Sequence, residues 1–243
     1  MSRFYVNKDS VKGNNILVRG DEAHHILDVM RLKELDKVVT FDGTGKEYIG
    51  FIKEVKRKDL IIEIVETRTP LNKSSSKITL IQSIPKKDKM DYIVEKATEL
   101  GVFNIVPVVT KRTIPDWDEA KCNANTERWR RIVQGASKQS GRTDIPEIGK
   151  IADFSDCVKG ADLYDLAMIA VLSDETVPLK SVLKDFKGGR VAIAIGPEGD
   201  FTPEEVKRAR EANFKPVSLG SRVLKSDTAG LAALSILNYE FTK

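Results

Sequence analysis

Histidine and cysteine are scarce in this chain of 243 residues, which carries two of each. Cys122 and Cys157 lie far apart and outside any CxxC spacing, so neither a disulfide framework nor a thiolate metal site is expected. They read as free thiols in a reducing compartment. His24 and His25 are adjacent and so point to different sides of a helix, one packed and one exposed, rather than sharing a metal. With no HExxH and no HxE followed by CxxC, zinc chemistry has no ligands and no metal is expected. A GxxxxGK[ST] loop is absent, which excludes a P-loop enzyme, and no GxGxxG follows an early strand, which leaves a dinucleotide site unsupported. No apolar run approaches the ~18 residues of a membrane span. The opening MSRFYVNKDS lacks the apolar segment of a signal peptide, so the expected location is the cytoplasm.

What is present suits a globular protein: 41% hydrophobic and 31% charged residues. The length allows one large domain or two ordinary ones. Lys and Arg number 40 against 36 Asp and Glu, and the net charge of +4 fits an anionic partner without requiring one.

The pattern divides the chain. Up to Glu66 it reads as short strands (Phe4–Val6, Asn15–Val18, Val38–Phe41, Tyr48–Lys53, Leu60–Val65) separated by turn residues, with one helix near Asp21–Met30 capped by Asp21. Strands at this spacing indicate a small barrel that serves as a binding module. Thr67–Lys77 has a proline, three serines and no periodicity, and reads as a linker, giving domains at 1–70 and 71–243. Beyond it strand and helix alternate. The strands are Ile78–Ile84, Ile105–Val109, Leu166–Leu172, Val191–Ile195 and Pro216–Leu219. The helices are Lys87–Leu100, Asn125–Ser140, Leu179–Phe186, Pro203–Ala212 and Asp227–Phe241, the last capped by Ser226. Continuous apolar strands between helices mean a parallel sheet covered on both faces, an α/β fold.

Two loops stand out. Val191–Ile195 stops at Gly196-Pro197-Glu198-Gly199, and a helix start follows with Thr202 as cap, Pro203 at the first position and Glu205 completing a capping box. Glycine admits close backbone approach to a ligand, although a plain structural turn has the same look. The second loop, Leu219 to Leu224, carries apolar Val223 and Leu224 where loops are ordinarily polar. Those side chains cover a sheet edge or sandwich a flat apolar ligand such as an adenine ring. Lys225 and Asp227 follow where the amides of the next helix point. Elsewhere, Lys138-Gln139-Ser140-Gly141-Arg142 clusters polar donors at a helix end, suited to phosphate or base contact. Lys86, Lys87 and Lys89 sit at a helix start, where cations oppose the dipole unless solvent or a ligand anion offsets them.

IGPEGDFTPEE, LGSRVLKSDTAG, KATELGVFNIVPV and RWRRIVQGASKQSGRTDIPEI together resemble the RsmE family of 16S ribosomal RNA uridine-N3 methyltransferases, in the SPOUT superfamily. RFYV and HHILDVMRL resemble that family's RNA-binding part, so the likeness covers nearly the whole chain. It implies a C-terminal trefoil-knotted SPOUT methyltransferase domain with a parallel sheet and a small N-terminal PUA-like β-barrel. It also implies S-adenosylmethionine as cofactor, 16S ribosomal RNA in the small subunit as substrate, and a homodimer. Carried over, the cofactor residues are Leu172, Gly196, Pro197, Glu198, Gly199, Leu219, Gly220, Val223, Leu224, Thr228 and Ala229. Arg142, Lys225 and Asp227 become the catalytic candidates, and Arg3, His25, Arg31, Lys138, Gln139 and Ser140 the RNA contacts. Lys225 and Asp227 stand where the family usually has Arg and Glu, and GPEGD replaces the usual GPEGG. A lysine cannot reproduce arginine's bidentate contact. A barrel-bearing RNA-binding protein without activity, and a methyltransferase acting on transfer RNA, are the competing readings.

Overall fold

The computed structural model describes residues 3–70, 74–113 and 116–242. Two compact units make it up: residues 1–72 with 134–145, and residues 73–133 with 146–243.

The first unit holds β1 (Arg3–Tyr5), β2 (Val11–Lys12), β3 (Asn15–Val18), α1 (Gly20–His24), β4 (Lys37–Phe41), β5 (Glu47–Lys56) and β6 (Asp59–Arg68). The strands expected to form a small barrel pair in the order β1-β4-β5-β6-β3-β2, antiparallel except for β1 with β4. Phe4, Ile16, Ile26, Ile52, Leu60 and Ile62 fill its core. Asp21 does not cap α1. Arg19 is the cap residue, without a side-chain bond, and Gly20 starts the helix at φ +63°. The helix then loosens into a π-helical turn over His25–Val29, which a strict 3.6-residue reading misses. Thr67 and Arg68 extend β6, so the linker is shorter than its composition indicates, and its residues 71–73 lie outside the described residues. Residues 134–145 join this unit because their backbone pairs with the turn after β4: Gly45 N–H donates to Thr143 O at 3.0 Å and Ile145 N–H to Gly43 O at 3.2 Å.

The second unit contains β7 (Ser76–Ser83), α2 (Lys89–Glu99), β8 (Asn104–Val109), α3 (Glu119–Ser140, to its midpoint), β9 (Glu147–Ile148), β10 (Ala152–Asp153) and α4 (Phe154–Cys157). There follow β11 (Leu166–Ala170), β12 (Val177–Pro178), α5 (Leu179–Leu183), β13 (Gly189–Ile195), α6 (Pro203–Glu211), β14 (Lys215–Ser218) and α7 (Ser226–Phe241). Its sheet runs β10-β8-β7-β13-β11-β14-β12, with β9 also beside β8, and every pair is parallel. Both faces are covered, as continuous apolar strands require. Alternation along β7 sends Leu80 and Gln82 toward α7 and Ile81 into a cluster with Phe154, Phe201 and Phe214. Met90, Ile93, Val94 and Ala97 are the buried stripe of α2, and Gly101 closes it at φ +83°. No helix among the described residues is long and apolar enough to cross a membrane.

Candidate functional site

β11, β13 and β14 leave the sheet side by side, since Ala170 is in register with both Ile195 and Val217. The loops that follow therefore converge at the carboxyl edge, where open α/β sheets bind ligands. They enclose a cavity of about 240 Å³ lined by Leu172, Gly196, Pro197, Glu198, Leu219, Val223, Leu224, Lys225 and Ala229, all expected, together with Asp200, Arg222 and Ser226. Gly199, Gly220 and Thr228, also expected, stand beside the lining. Leu172 is 64% and Val223 74% exposed, so the walls carry apolar side chains with little protein packed on them.

The first loop is set by its sequence. The capping box forms: Glu205 N–H donates to Thr202 Oγ1 at 3.3 Å and Thr202 N–H to Glu205 Oε2 at 2.8 Å. Such a cap stabilises by ~1 kcal/mol and holds the turn before it. Phe201 is 4% exposed and stacks on Phe154, ring centroids 4.6 Å apart. A Cβ on Gly196 would lie 3.1 Å from the Phe201 ring, and one on Gly199 would lie 3.3 Å from Arg112. These glycines thus make room for the protein's own side chains, as a structural turn requires.

The expectation for Ser226 is corrected. Lys225 is the cap residue of α7 and makes no side-chain cap bond; Ser226 is already inside the helix and buried. Its hydroxyl donates to Gly196 O at 2.6 Å and accepts from Gln82 Nε2 at 3.0 Å. One buried hydroxyl therefore ties the two loops together. Sequence offers no signal for it beyond a small polar residue at a helix start.

A charged cluster whose members are far apart in sequence adjoins the cavity. Lys89 Nζ lies 3.8 Å from Glu198 Oε1 and 3.8 Å from Asp227 Oδ1, and Lys86 N–H donates to Glu198 Oε1 at 3.1 Å. The Lys89 charge at the start of α2 is thus answered by the protein's own carboxylates. Asp227 Oδ1 is buried and makes no hydrogen bond. Burial against the core pushes the Cys157 thiol up to about 11, which disfavours its thiolate form.

The remaining expected residues belong to the first unit. Arg3 pairs with Glu47 and lies over the Phe41 ring, and Lys138 pairs with Glu22. Arg142 pairs with Asp144 at 2.6 Å, while its carbonyl accepts from Arg3 Nη2 at 3.5 Å. Each carboxylate competes with a phosphate for its cation, so the pull of this cluster on an anion is weaker than its cations alone indicate. His25 is half-buried with its ring edge-on to Phe4, and His24 is exposed beside Asp28, as adjacent helical positions require. Arg31 and Gln139 are exposed, and Ser140 Oγ donates to Ala136 O at 2.7 Å.

A family model described as the RNA methyltransferase domain matches residues 72–238, and one described as the RNA methyltransferase PUA domain matches residues 18–65. The chain is 32% identical to the ribosomal RNA small subunit methyltransferase E of Aquifex aeolicus, with 93% of this chain and 95% of that one covered. It is 30% identical to the protein of that name from Rickettsia conorii, over 96% and 93%. The crystal structure of a ribosomal RNA small subunit methyltransferase E from Neisseria gonorrhoeae bound to S-adenosyl methionine superposes with a TM-score of 0.85. The identity is 30%, over 98% of this chain and 97% of that chain.

Proposed function

Since the chain belongs to the ribosomal RNA small subunit methyltransferase E family, we propose that it transfers a methyl group from S-adenosylmethionine to N3 of a uridine in 16S ribosomal RNA. The observation that carries this reading is the 240 Å³ cavity at the carboxyl edge of the parallel sheet, with Leu172 and Val223 exposed on its walls. Apolar walls beside loop backbone fit an adenosine and its sulfur, and a family member from Neisseria gonorrhoeae binds this cofactor. When bound, the sulfonium supplies an already activated methyl group.

The protein's work is placement and charge. Leu172, Leu219, Val223, Leu224 and Ala229 form apolar walls, and Gly196–Glu198 offer backbone groups. Uracil N3 carries a proton on the Watson–Crick edge, so the base is received unpaired or extruded. Holding N3 in line with the methyl removes much of the entropic barrier. Lys225, which lines the cavity, is the cation for charge that spreads onto O2 and O4 as the proton leaves, and the family likeness alone adds Arg142. Asp227 or a water takes the N3 proton, and the buried Asp227 Oδ1, which makes no hydrogen bond, favours the carboxylate. Arg3, His25, Arg31, Lys138, Gln139 and Ser140 contact the RNA in this reading.

Three further features belong to the proposal. The first is the family's trefoil knot in the second unit, a reading supported by the return of the chain past Gly196 after β14 and the packing of α7 on α2, β7 and β13. Two copies pair through the second unit, where α7 exposes Ile236 and Tyr239. The enzyme works in the cytoplasm, where its substrate is.

Mapping modified nucleotides in 16S ribosomal RNA from cells with and without the protein is the deciding experiment. One N3-methyluridine should disappear without it; an unchanged map sinks the reading, and a mark lost from transfer RNA favours that substrate instead. Arg142→Ala should slow single-turnover transfer by about 10²-fold at unaltered cofactor affinity. Collapse of affinity at an unaltered rate would show its role to be wrong.

A further inference from the structure

We propose that Asp200 is a positioning residue that holds Leu172 in place as a wall of the cofactor cavity, an inference that rests on the function proposed above. Asp200 sits at φ +61°, in the left-handed region that a residue with a Cβ adopts only at a cost. Glycine would take that backbone freely. The aspartate therefore needs a compensating reason to be there, and its carboxylate provides one. Oδ2 accepts from Leu172 N–H at 3.0 Å and Oδ1 from Phe201 N–H at 2.8 Å, while the Asp200 N–H donates to Pro197 O at 3.0 Å. One side chain thus joins the exit of β11 to the turn that follows β13.

The consequence falls on Leu172. Its side chain is 64% exposed, so packing does little to hold it, and the bond from its amide to Asp200 is what fixes the backbone. Leu172 and Asp200 also line a second cavity of about 620 Å³, reached by Phe201, Lys207 and Arg210. They stand between the two spaces. Releasing Leu172 would let the cofactor cavity open toward this larger one and lose a wall.

The test uses Asp200→Gly and Asp200→Asn in the full chain, without and with S-adenosylmethionine. Glycine removes both carboxylate bonds and the backbone strain together. In the free protein the Leu172 amide should exchange with solvent about tenfold faster, while Tm stays level or rises. Calorimetry should show cofactor Kd raised about tenfold, and steady-state rates should show KM for the cofactor raised at unaltered kcat. Asp200→Asn, which keeps one acceptor oxygen, should fall between. Unaltered Leu172 exchange overturns the inference, as does wild-type cofactor affinity in Asp200→Gly. A Tm that falls in step with affinity also overturns it, because the role would then be merely structural. A wild-type protein that fails to bind the cofactor sinks the proposed function and this inference together, whereas failure of the variants alone sinks only the inference.

Discussion

The loop from Gly196 to Asp200 and the loop from Leu219 to Lys225 face the same cavity but are held in opposite ways. The first is pinned by the protein. Gly196 O accepts from Ser226, Gly199 O accepts from Arg112 Nη1 at 2.5 Å, the Glu198 carboxylate meets the start of α2, and Phe201 packs directly beneath. The second has a tight beginning, where Ser218 Oγ and the Gly220 backbone bond each other at 3.1 and 3.2 Å, and then little else. Arg222, Val223 and Lys225 are exposed, and Val223 lines the cavity. The lesson is a division of labour: one wall is held by the protein's own contacts, and in the function proposed above the other takes its packing from the ligand.

Variants can break or sharpen that contrast. Phe201→Ala should have the largest effect, ~3–5 kcal/mol of stability, because a buried aromatic under the first loop leaves a cavity. Urea denaturation would read it, and an unaltered midpoint would mean the loop is not anchored from below. Gly196→Val presses its new atoms on the Phe201 ring and should cost about 1–3 kcal/mol by overpacking. A variant that kept full thermal stability yet lost cofactor would instead assign Gly196 to the ligand. Ser226→Ala leaves Gly196 O and Gln82 Nε2 short of a partner, and a loss near 1–2 kcal/mol in melting experiments is expected, with a weaker cofactor site following from the untied loops. Val223→Ser should barely move stability, within about 0.5 kcal/mol as for other exposed positions. Calorimetry should nevertheless find affinity for S-adenosylmethionine lowered by about tenfold, the worth of one buried apolar side chain. Equal losses of stability in Val223→Ser and Phe201→Ala would erase the distinction between the loops.

Local signals read correctly were those made by neighbours in sequence. Thr202 and Glu205 are three residues apart and form their capping box with each other. Met90, Ile93, Val94 and Ala97 recur at helical spacing and are buried together. The apolar Val191–Ile195 needed only its own composition to declare a central strand. What sequence reading missed came from partners far away along the chain. Ser226 looked like a cap because small polar residues often are; its actual acceptor is 30 residues earlier. Lys89 looked like an unfavourable charge until Glu198 and Asp227 were brought beside it. Arg3 and Lys138 looked like free cations because nothing local shows that Glu47 and Glu22 would engage them.

The strand–helix alternation, the parallel sheet, the capped glycine loop and, through its motifs, the family are legible in the linear order of residues. These follow from backbone geometry and side-chain spacing, which act over a few residues. Folding alone brings residues 134–145 to the first unit, ties the two loops through a buried serine, and sets Asp200 against the Leu172 amide. Those features rest on hydrogen bonds and packing between segments that only folding brings together, and a linear pattern carries no record of which distant partner a polar side chain will meet.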